Sequence, residues 1–534
     1  MNRSHFRCTA VLLAAALLAG CSTASSQEIT ESSSRPEESA VTENAAGTMP
    51  VLSIETNDRS ADVLKFVTEP VAPHVSEQIA TWTPNYQIPP EPYYEACTVS
   101  LSSAEGESLL SAADAEVKVR GNWTTTYDKK PLRLKFAEKQ NLLGLHSGTA
   151  FKNWVLLAEY KDVSLLRNKT ALQLARELYA GDGFYAADAQ LVEVKINGEY
   201  WGVYLLTEQQ QVNDDRVNVP EPKKDETGTD TGYFLEFDGY FYTNDPLQQF
   251  HVDYADNAKL RPFDGDGGKG KKTACLPEFE GDPKKNIGFT IRSKIRSQEQ
   301  HDFIASFVSN VYRIMYAAAY EQQAFVFNAD YSEISLSDSL TPQEAVERVV
   351  DITSLADAYI IAELTCDADL YWSSFFMDVD FTAAGSRRLT FEAPWDFDSA
   401  LGNKDRCING TGFYAGNRIP DVNGNTYMTI NPWIAVLMYE DWFQDVIRTQ
   451  WKKLYDSGAF DRAVNMIRSD AADYADAFQR NESRWGVCTS DPAITGELAK
   501  QTKAIRSQAD GAAQLADWLG KRVAFLDAYW RQET

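Results

Sequence analysis

The sequence predicts an α+β protein in two lobes, with a β-rich first half and a mostly helical second half. Three observations carry that prediction. Up to about residue 220, apolar and polar residues alternate in short runs separated by Gly, Pro and Asn turns. From about residue 297 the apolar spacing changes to three and four, the period of helices. One acidic, strand-like stretch, Ile361 to Gly402, interrupts the helical half. The default site in such a chain is the cleft between the lobes.

The bulk composition bounds the function. A chain of 534 residues, 44% hydrophobic and 12% aromatic, can bury a large core. Its formal net charge of −26 argues against nucleic acid as a partner, because phosphate backbones are gripped by clustered Lys and Arg. Near the start, Arg3 and Arg7 precede the apolar run AVLLAAALLAG, which stops at Cys21. That run is too short to span a bilayer and has the layout of an export signal. Its end, LLAGC, resembles the bacterial lipobox. The resemblance implies that residues 1–20 are removed and that Cys21 carries lipid. Residues 21–48 are rich in Ser, Thr, Glu and Ala, contain no aromatic residue, and read as a disordered tether. The expected location is therefore the cell membrane, lipid-anchored and facing outside the cytoplasm, with the anchor as the only membrane attachment. Five further cysteines, Cys97, Cys275, Cys366, Cys407 and Cys488, are widely spaced without a CxxC pair. The spacing excludes a zinc ribbon and leaves one or two disulfides open.

The folded part is expected over residues 49–534. Residues 49–220 form its β-rich lobe. MPVLSIET opens it as a strand. Val117 and Val119, then Leu132, Leu134 and Phe136, alternate on either side of a polar turn and predict a hairpin with one apolar face. The other face carries Lys118, Arg120, Arg133 and Lys135, either to hold phosphate or carboxylate or as a solvated strand face. FKNWVLLAEY reads as a buried strand. Asp162 and Ser164 are N-cap candidates for a helix that stops at Gly181-Asp182-Gly183. Asn197-Gly198 between two alternating runs predicts a tight hairpin, with Glu208 at the end of its second strand. Residues 221–295 read as a loop-rich insertion around one strand pair, GYFLEFDGYFY. Their DGDGG lacks the spacing of a calcium loop. Residues 296–534 form the helical lobe.

Within that lobe, the helix ending in IAEL breaks into a loop with Asp367 and Asp369. The strands SSFFMDVD and RRLTFEAPWD form a predicted hairpin that delivers Asp396 and Asp398, about 30 residues further on. Asp369 reads as a solvated loop residue. Asp396, flanked by Trp395 after an apolar strand, reads as buried and in need of a partner. Acids brought together in this way point to a divalent-metal or acid–base site. Trp201, Tyr204 and Trp395 read as core.

An ordered set of segments resembles the spore coat protein H (CotH) kinase family. They are MPVLSIET, VRGNWT with KKPLRLKF, FKNWVLLAEYKDVSLLRNKTALQLAREL, VEVKINGEYWGVYLLTE, GYFLEFD, AELTCDAD and APWDFDSALG, with DWF, WKKLY and NESRWG near the end. The resemblance runs from about residue 49 to about 530. It implies an atypical protein-kinase-like fold that uses ATP with Mg2+ or Mn2+ and phosphorylates secreted or surface proteins. Such chemistry needs cations on the triphosphate, carboxylates for the metal and a carboxylate at the acceptor hydroxyl. By the resemblance, Arg120, Lys130, Arg133 and Lys135 meet the phosphates. Glu177 takes the helix position whose Glu pairs with a phosphate-binding Lys, and Glu208 lies near the lobe linker. Asp367 matches the catalytic-loop Asp and takes the role of base. Asp396 matches the metal-binding Asp, with Asp398 beside it. The family usually has an Asn ligand soon after the catalytic Asp. Here Trp372, Ser373 and Ser374 stand in that region, and Ser373 is the candidate ligand.

Two other classes remain open on the sequence. The missing Asn and the many aromatic residues suit a catalytically idle surface module that binds protein or carbohydrate. A pair of carboxylates such as Asp367 and Asp396 in an exported protein also suits glycoside hydrolysis.

Overall fold

The structure, a computed structural model, describes residues 49–57, 63–254, 259–265, 274–275, 287–404, 408–417, 419–420 and 428–531. The expected export signal, the tether with Cys21, Cys407 and most of the DGDGG loop lie outside the described residues.

Seven strands build the first half: β1 (Val51–Thr56), β2 (Glu95–Ser102), β3 (Ser108–Val119), β4 (Leu132–Gln140), β5 (Phe151–Leu157), β6 (Ala189–Ile196) and β7 (Glu199–Glu208). They close into a barrel in the order β1-β2-β3-β4-β5-β7-β6. Neighbours are antiparallel except β1 and β6, which run parallel with Val51 opposite Glu193. The two hairpins predicted in this half, β3–β4 and β6–β7, are present. In the β6–β7 turn, Asn197 and Gly198 take positive φ values of 53° and 80°, as a two-residue turn matching strand twist requires.

The period-two alternation sorts side chains into two cores. Trp154 and Leu156 of β5 and Trp201, Tyr204 and Leu206 of β7 fill the barrel interior. Val155, Leu157, Val203 and Leu205, on the opposite faces, join the main core outside it. Helix α1 (Pro73–Trp82) lies on the β3–β4 turn: the Ala72 N–H donates to Thr125 Oγ1 at 3.0 Å, and Val71, Ala72 and Val75 pack as a small cluster against Trp123. Between β5 and β6 runs α2 (Arg167–Tyr179). Its N-cap residue is Leu166 rather than Asp162 or Ser164; Asp162 ties down the approach, accepting N–H bonds from Ser164, Leu166 and Arg167 at 2.8, 3.0 and 2.8 Å.

A second sheet stands against the helical half. It comprises β8 (Gly232–Asp238), β9 (Gln249–Phe250), β10 (Gly288–Ile291) and β11 (Phe375–Asp380), antiparallel in the order β11-β8-β10-β9. Three of these strands come from residues 221–295, which the sequence shows mainly as loops. The predicted hairpin of the acidic stretch is not a hairpin. β11 pairs along its length with β8, and RRLTFEAPWD contributes two isolated bridges, Thr390 with Asp378 at 2.9 and 2.8 Å and Leu389 with Val350. Positive φ at Ala393 (60°) and Asp396 (72°) breaks its extended course.

The helices α3 (Gln298–Tyr316), α4 (Ile352–Thr365), α5 (Asp441–Asp456), α6 (Ala459–Asp473), α7 (Ala475–Trp485) and α8 (Gln508–Trp530) complete the fold. α4 is apolar all round and buried at every residue except Thr353, so it runs through the core rather than along its surface. Its buried Glu363 is ion-paired to Arg522 of α8 and accepts N–H bonds from Tyr414 and Ala415 at 2.7 and 2.9 Å. That anchoring fixes where the acidic loop begins. Cys97, Cys366 and Cys488 are buried. Among the described residues, no helix is long and apolar enough to cross a membrane.

Candidate active site

A cleft of about 850 Å³ opens between the barrel and the second half. The β3–β4 turn and β5 form one wall. The loops after α4 and after Trp395, with β8, form the other.

The first acid loop follows directly from the end of α4. Cys366 takes a left-handed conformation (φ 49°) and closes the helix, and the Asp367 N–H returns to Ala362 O at 3.1 Å. The Asp367 side chain turns onto its own loop, where Oδ1 accepts the Asp369 N–H at 3.0 Å. It is buried, and burial first, then the Asp369 charge, pushes its carboxyl well above the usual range. It does not line the cleft. Asp369 does, so it is not a solvated loop residue.

The second acid loop is held from α2. Asn168 Oδ1 accepts the Phe397 N–H at 2.7 Å, and Asn168 Nδ2 donates to both oxygens of Glu159 at 3.0 and 3.2 Å. Asn403 Nδ2 donates to Asp398 O at 2.6 Å. These bonds bring Asp396 and Asp398 to Asp369, with one carboxylate oxygen from each within 4.8 Å of the others. All three are half-buried.

Carboxylates this close repel one another. Burial, then the charges of Asp398 and Asp369, push Asp396 up to about 8, against the opposing pull of Arg120 and Lys161. Asp369 is also raised by burial, while Lys404 and Lys161 pull it down. Three oxygen donors that still repel with these cations nearby fit a divalent ion that prefers oxygen ligands.

The cations around the trio come from separate elements. Lys161, just past β5, sits 3.7 Å from Asp398 Oδ1 and 3.2 Å from Glu497 Oε2. Burial alone would lower its pKa, but Asp398, Glu497 and Asp369 hold the ammonium well above its ordinary value. Lys404 lies 3.4 Å from Glu497. Arg120 stands over the Trp395 ring at 5.7 Å. Burial lowers its pKa and the Asp396 charge supports its protonated form. On β8, Glu236 accepts Arg292 Nε at 2.6 Å and the Ser374 N–H at 3.0 Å. Beyond β7, Gln209 Oε1 and Gln210 Nε2 are buried without a hydrogen-bond partner among the described residues, and both side chains line the cleft.

Of the residues expected from sequence, Arg120, Ser373, Asp396 and Asp398 line the cleft, and Lys130, Arg133, Lys135, Glu177 and Glu208 do not. Lys130 is buried and donates to Thr125 O. Arg133 donates to Asn153 Oδ1 at 3.0 Å, and Lys135 pairs with Glu116 at 2.9 Å on the surface. Both share the hairpin's outward face with Arg120, opposite Lys118 and Glu116 in register, but stand further along it from the turn. Glu177 is paired with Arg462 at the surface. Glu208 is fully buried between Arg216 (3.2 Å) and His146 (3.1 Å). Cys21 lies outside the described residues. Sequence reasoning passed over Lys161, Lys404, Arg292, Asn168 and Asp369. Lys161 and Asn168 fall inside the matched segment FKNWVLLAEYKDVSLLRNKT, and Lys404 follows APWDFDSALG by two residues, so position beside the motifs was the available signal.

The model of the CotH kinase protein family matches residues 117–526, most of the chain, and the protein belongs to that family. The inner spore coat protein H of Bacillus subtilis (strain 168) is 34% identical over 95 residues, which are 18% of this chain and 24% of that protein. The match therefore spans about a quarter of that relative's length. Membership suggests kinase activity and, with it, the use of ATP and a divalent metal.

Proposed function

We propose that the protein is an extracytoplasmic atypical kinase, lipid-anchored through Cys21, that transfers the terminal phosphoryl group of ATP to secreted or surface proteins. The observation that carries this reading is the meeting of Asp369, Asp396 and Asp398 with Arg120, Lys161 and Lys404 in one cleft. Phosphoryl transfer asks mainly for positioning and charge stabilisation, and those residue types supply both.

Asp396 and Asp398 would hold the divalent ion, Mg2+ or Mn2+, which when bound neutralises charge on the phosphate oxygens. Arg120, Lys161 and Lys404 bind and orient the triphosphate. Arg120 does so with a guanidinium already fixed over Trp395. Asp369 takes the acceptor hydroxyl's proton, because it is the loop carboxylate that reaches the cleft. Asp367 positions Asp369 by accepting its N–H. Gln209 and Gln210 offer an unpaired acceptor and donor to the edge of a base.

Purified protein with labelled ATP and Mg2+ or Mn2+ should label itself or a generic protein substrate. Asp369→Asn should abolish labelling, and Asp367→Asn, which keeps an oxygen for the Asp369 N–H, should leave a measurable fraction. The reverse ranking restores Asp367 as base. A second reading, an idle surface module, draws on the Ser373 and Ser374 hydroxyls in place of an amide ligand. It is favoured if ATP with either metal fails to raise the melting temperature.

A further inference from the structure

The cleft has a wall that the phosphoryl-transfer reading does not use. It is α1, which precedes the residues matched by the family model. Its His74, Glu77, Gln78, Thr81 and Trp82 recur at helical spacing and all line the cleft. Trp82 stacks on Trp123 of the β3–β4 turn, with ring centroids 6.3 Å apart and planes 5° from parallel, yet it stays 49% exposed. Beyond it, Ile88 and Tyr93 are also exposed, so three of the five large hydrophobic side chains exposed among the described residues fall within Trp82–Tyr93. His74 Nε2 is buried with no partner among the described residues.

An exposed indole costs free energy unless something covers it, and one stacked on a second indole in the wall of a cleft marks a binding surface. The occupant is constrained in two ways. The base-edge groups Gln209 and Gln210 belong to a different wall, after β7, which leaves α1 for the second substrate. Between Phe66 and Glu95 the chain has four carboxylates, Glu69, Glu77, Glu91 and Glu95, and no Lys or Arg. That charge disfavours an acidic occupant.

We infer that α1 and the Trp82–Trp123 stack form the docking wall for the acceptor polypeptide, engaging a large apolar or aromatic side chain near the modified hydroxyl of a non-acidic segment. This rests on the kinase reading for the identity of the second substrate. Docking itself is a binding event that does not need turnover. The stack and the acidic trio line the same cleft.

The test uses the full chain and arrayed Ser- and Thr-containing peptides with Phe, Ala or Glu scanned through the flanking positions. The wild type should prefer Phe over Ala and discriminate against Glu. Trp82→Ala should raise KM for the Phe-bearing peptide about tenfold or more and erase the Phe preference, as truncating a packed aromatic anchor does. Trp82→Phe should restore most of it. The metal-dependent rise in melting temperature with ATP should be equal in all three proteins. If Trp82→Ala abolishes that rise, the stack holds the nucleotide base and the proposal is overturned. An unchanged peptide preference also overturns it. Should the wild type label nothing, binding of the Phe peptide measured by fluorescence anisotropy separates the two readings. Trp82-dependent binding without transfer keeps the docking wall and removes the kinase.

Discussion

Two groups of carboxylates lie on the same short stretch, from Asp369 to Asp398, and the fold uses them in opposite ways. Asp369, Asp396 and Asp398 converge at the cleft and are met there by Arg120, Lys161 and Lys404. Asp378 and Glu392, between them in sequence, face each other inside the protein. Burial, then the Glu392 charge, pushes Asp378 well above its ordinary value, and burial pushes Glu392 up to about 7. The first group lines the cleft and faces Arg120, Lys161 and Lys404. The second lies away from the cleft and is met by the Tyr185 N–H, which Glu392 accepts at 2.7 Å. Acidity in the sequence does not mark a site. Acidity with facing cations and an opening to solvent does.

That contrast is open to direct tests. The largest expected effect is on the trio. Asp396→Asn should lower phosphoryl transfer by about a thousandfold or more, with melting temperature unchanged or raised because a repelling charge is gone. Glu392→Gln should leave transfer within about twofold. Equal losses from the two would break the comparison. Next is Lys161→Met. Removing a buried ammonium strands Asp398 and Glu497, so both transfer and stability should fall, the latter by about 3 kcal/mol in urea denaturation. Adding Glu497→Gln should recover part of the stability. Arg120→Ala should raise KM for ATP about tenfold, while Lys135→Ala, on an exposed pair, should change it less than twofold.

The smallest effect is in pH dependence. Asp357 in α4 is pushed by burial up to about 8 from an ordinary 3.8, and Glu392 up to about 7 from 4.5. Both folded values are raised. Their contribution to stability is therefore complete below about pH 4 and is lost as pH rises towards 8. An Asp357→Asn/Glu392→Gln double variant should gain a few degrees of melting temperature over wild type between pH 5 and pH 8. A constant difference would show that neither group changes protonation on folding.

Much of this molecule was legible from residue pattern. The β3–β4 hairpin, the Asn197-Gly198 turn, the helix that follows Asp162 and the helical second half all follow from local period and turn chemistry. So did the importance of the APWDFD segment. Of the cationic wall only Arg120 was legible. How far along the hairpin's cationic face the cleft reaches depends on how the second half packs against the barrel. The acidic stretch misled for a similar reason, since RRLTFEAPWD alternates like a strand while β8, from a distant segment, took the place of its partner.

By itself, then, the sequence determined the elements, their order and the presence of two acid loops, because these depend on short-range periodicity and capping. Only the tertiary structure decided which acids meet. It brought Asp369 rather than Asp367 to Asp396 and Asp398, and it set Lys161 and Lys404 beside Arg120 of the hairpin. The physical reason is that a site is made by long-range packing. Here that packing is Asn168 of α2 holding the second loop and Glu363 of α4 locked to Arg522, which together set two chain segments within 4.8 Å.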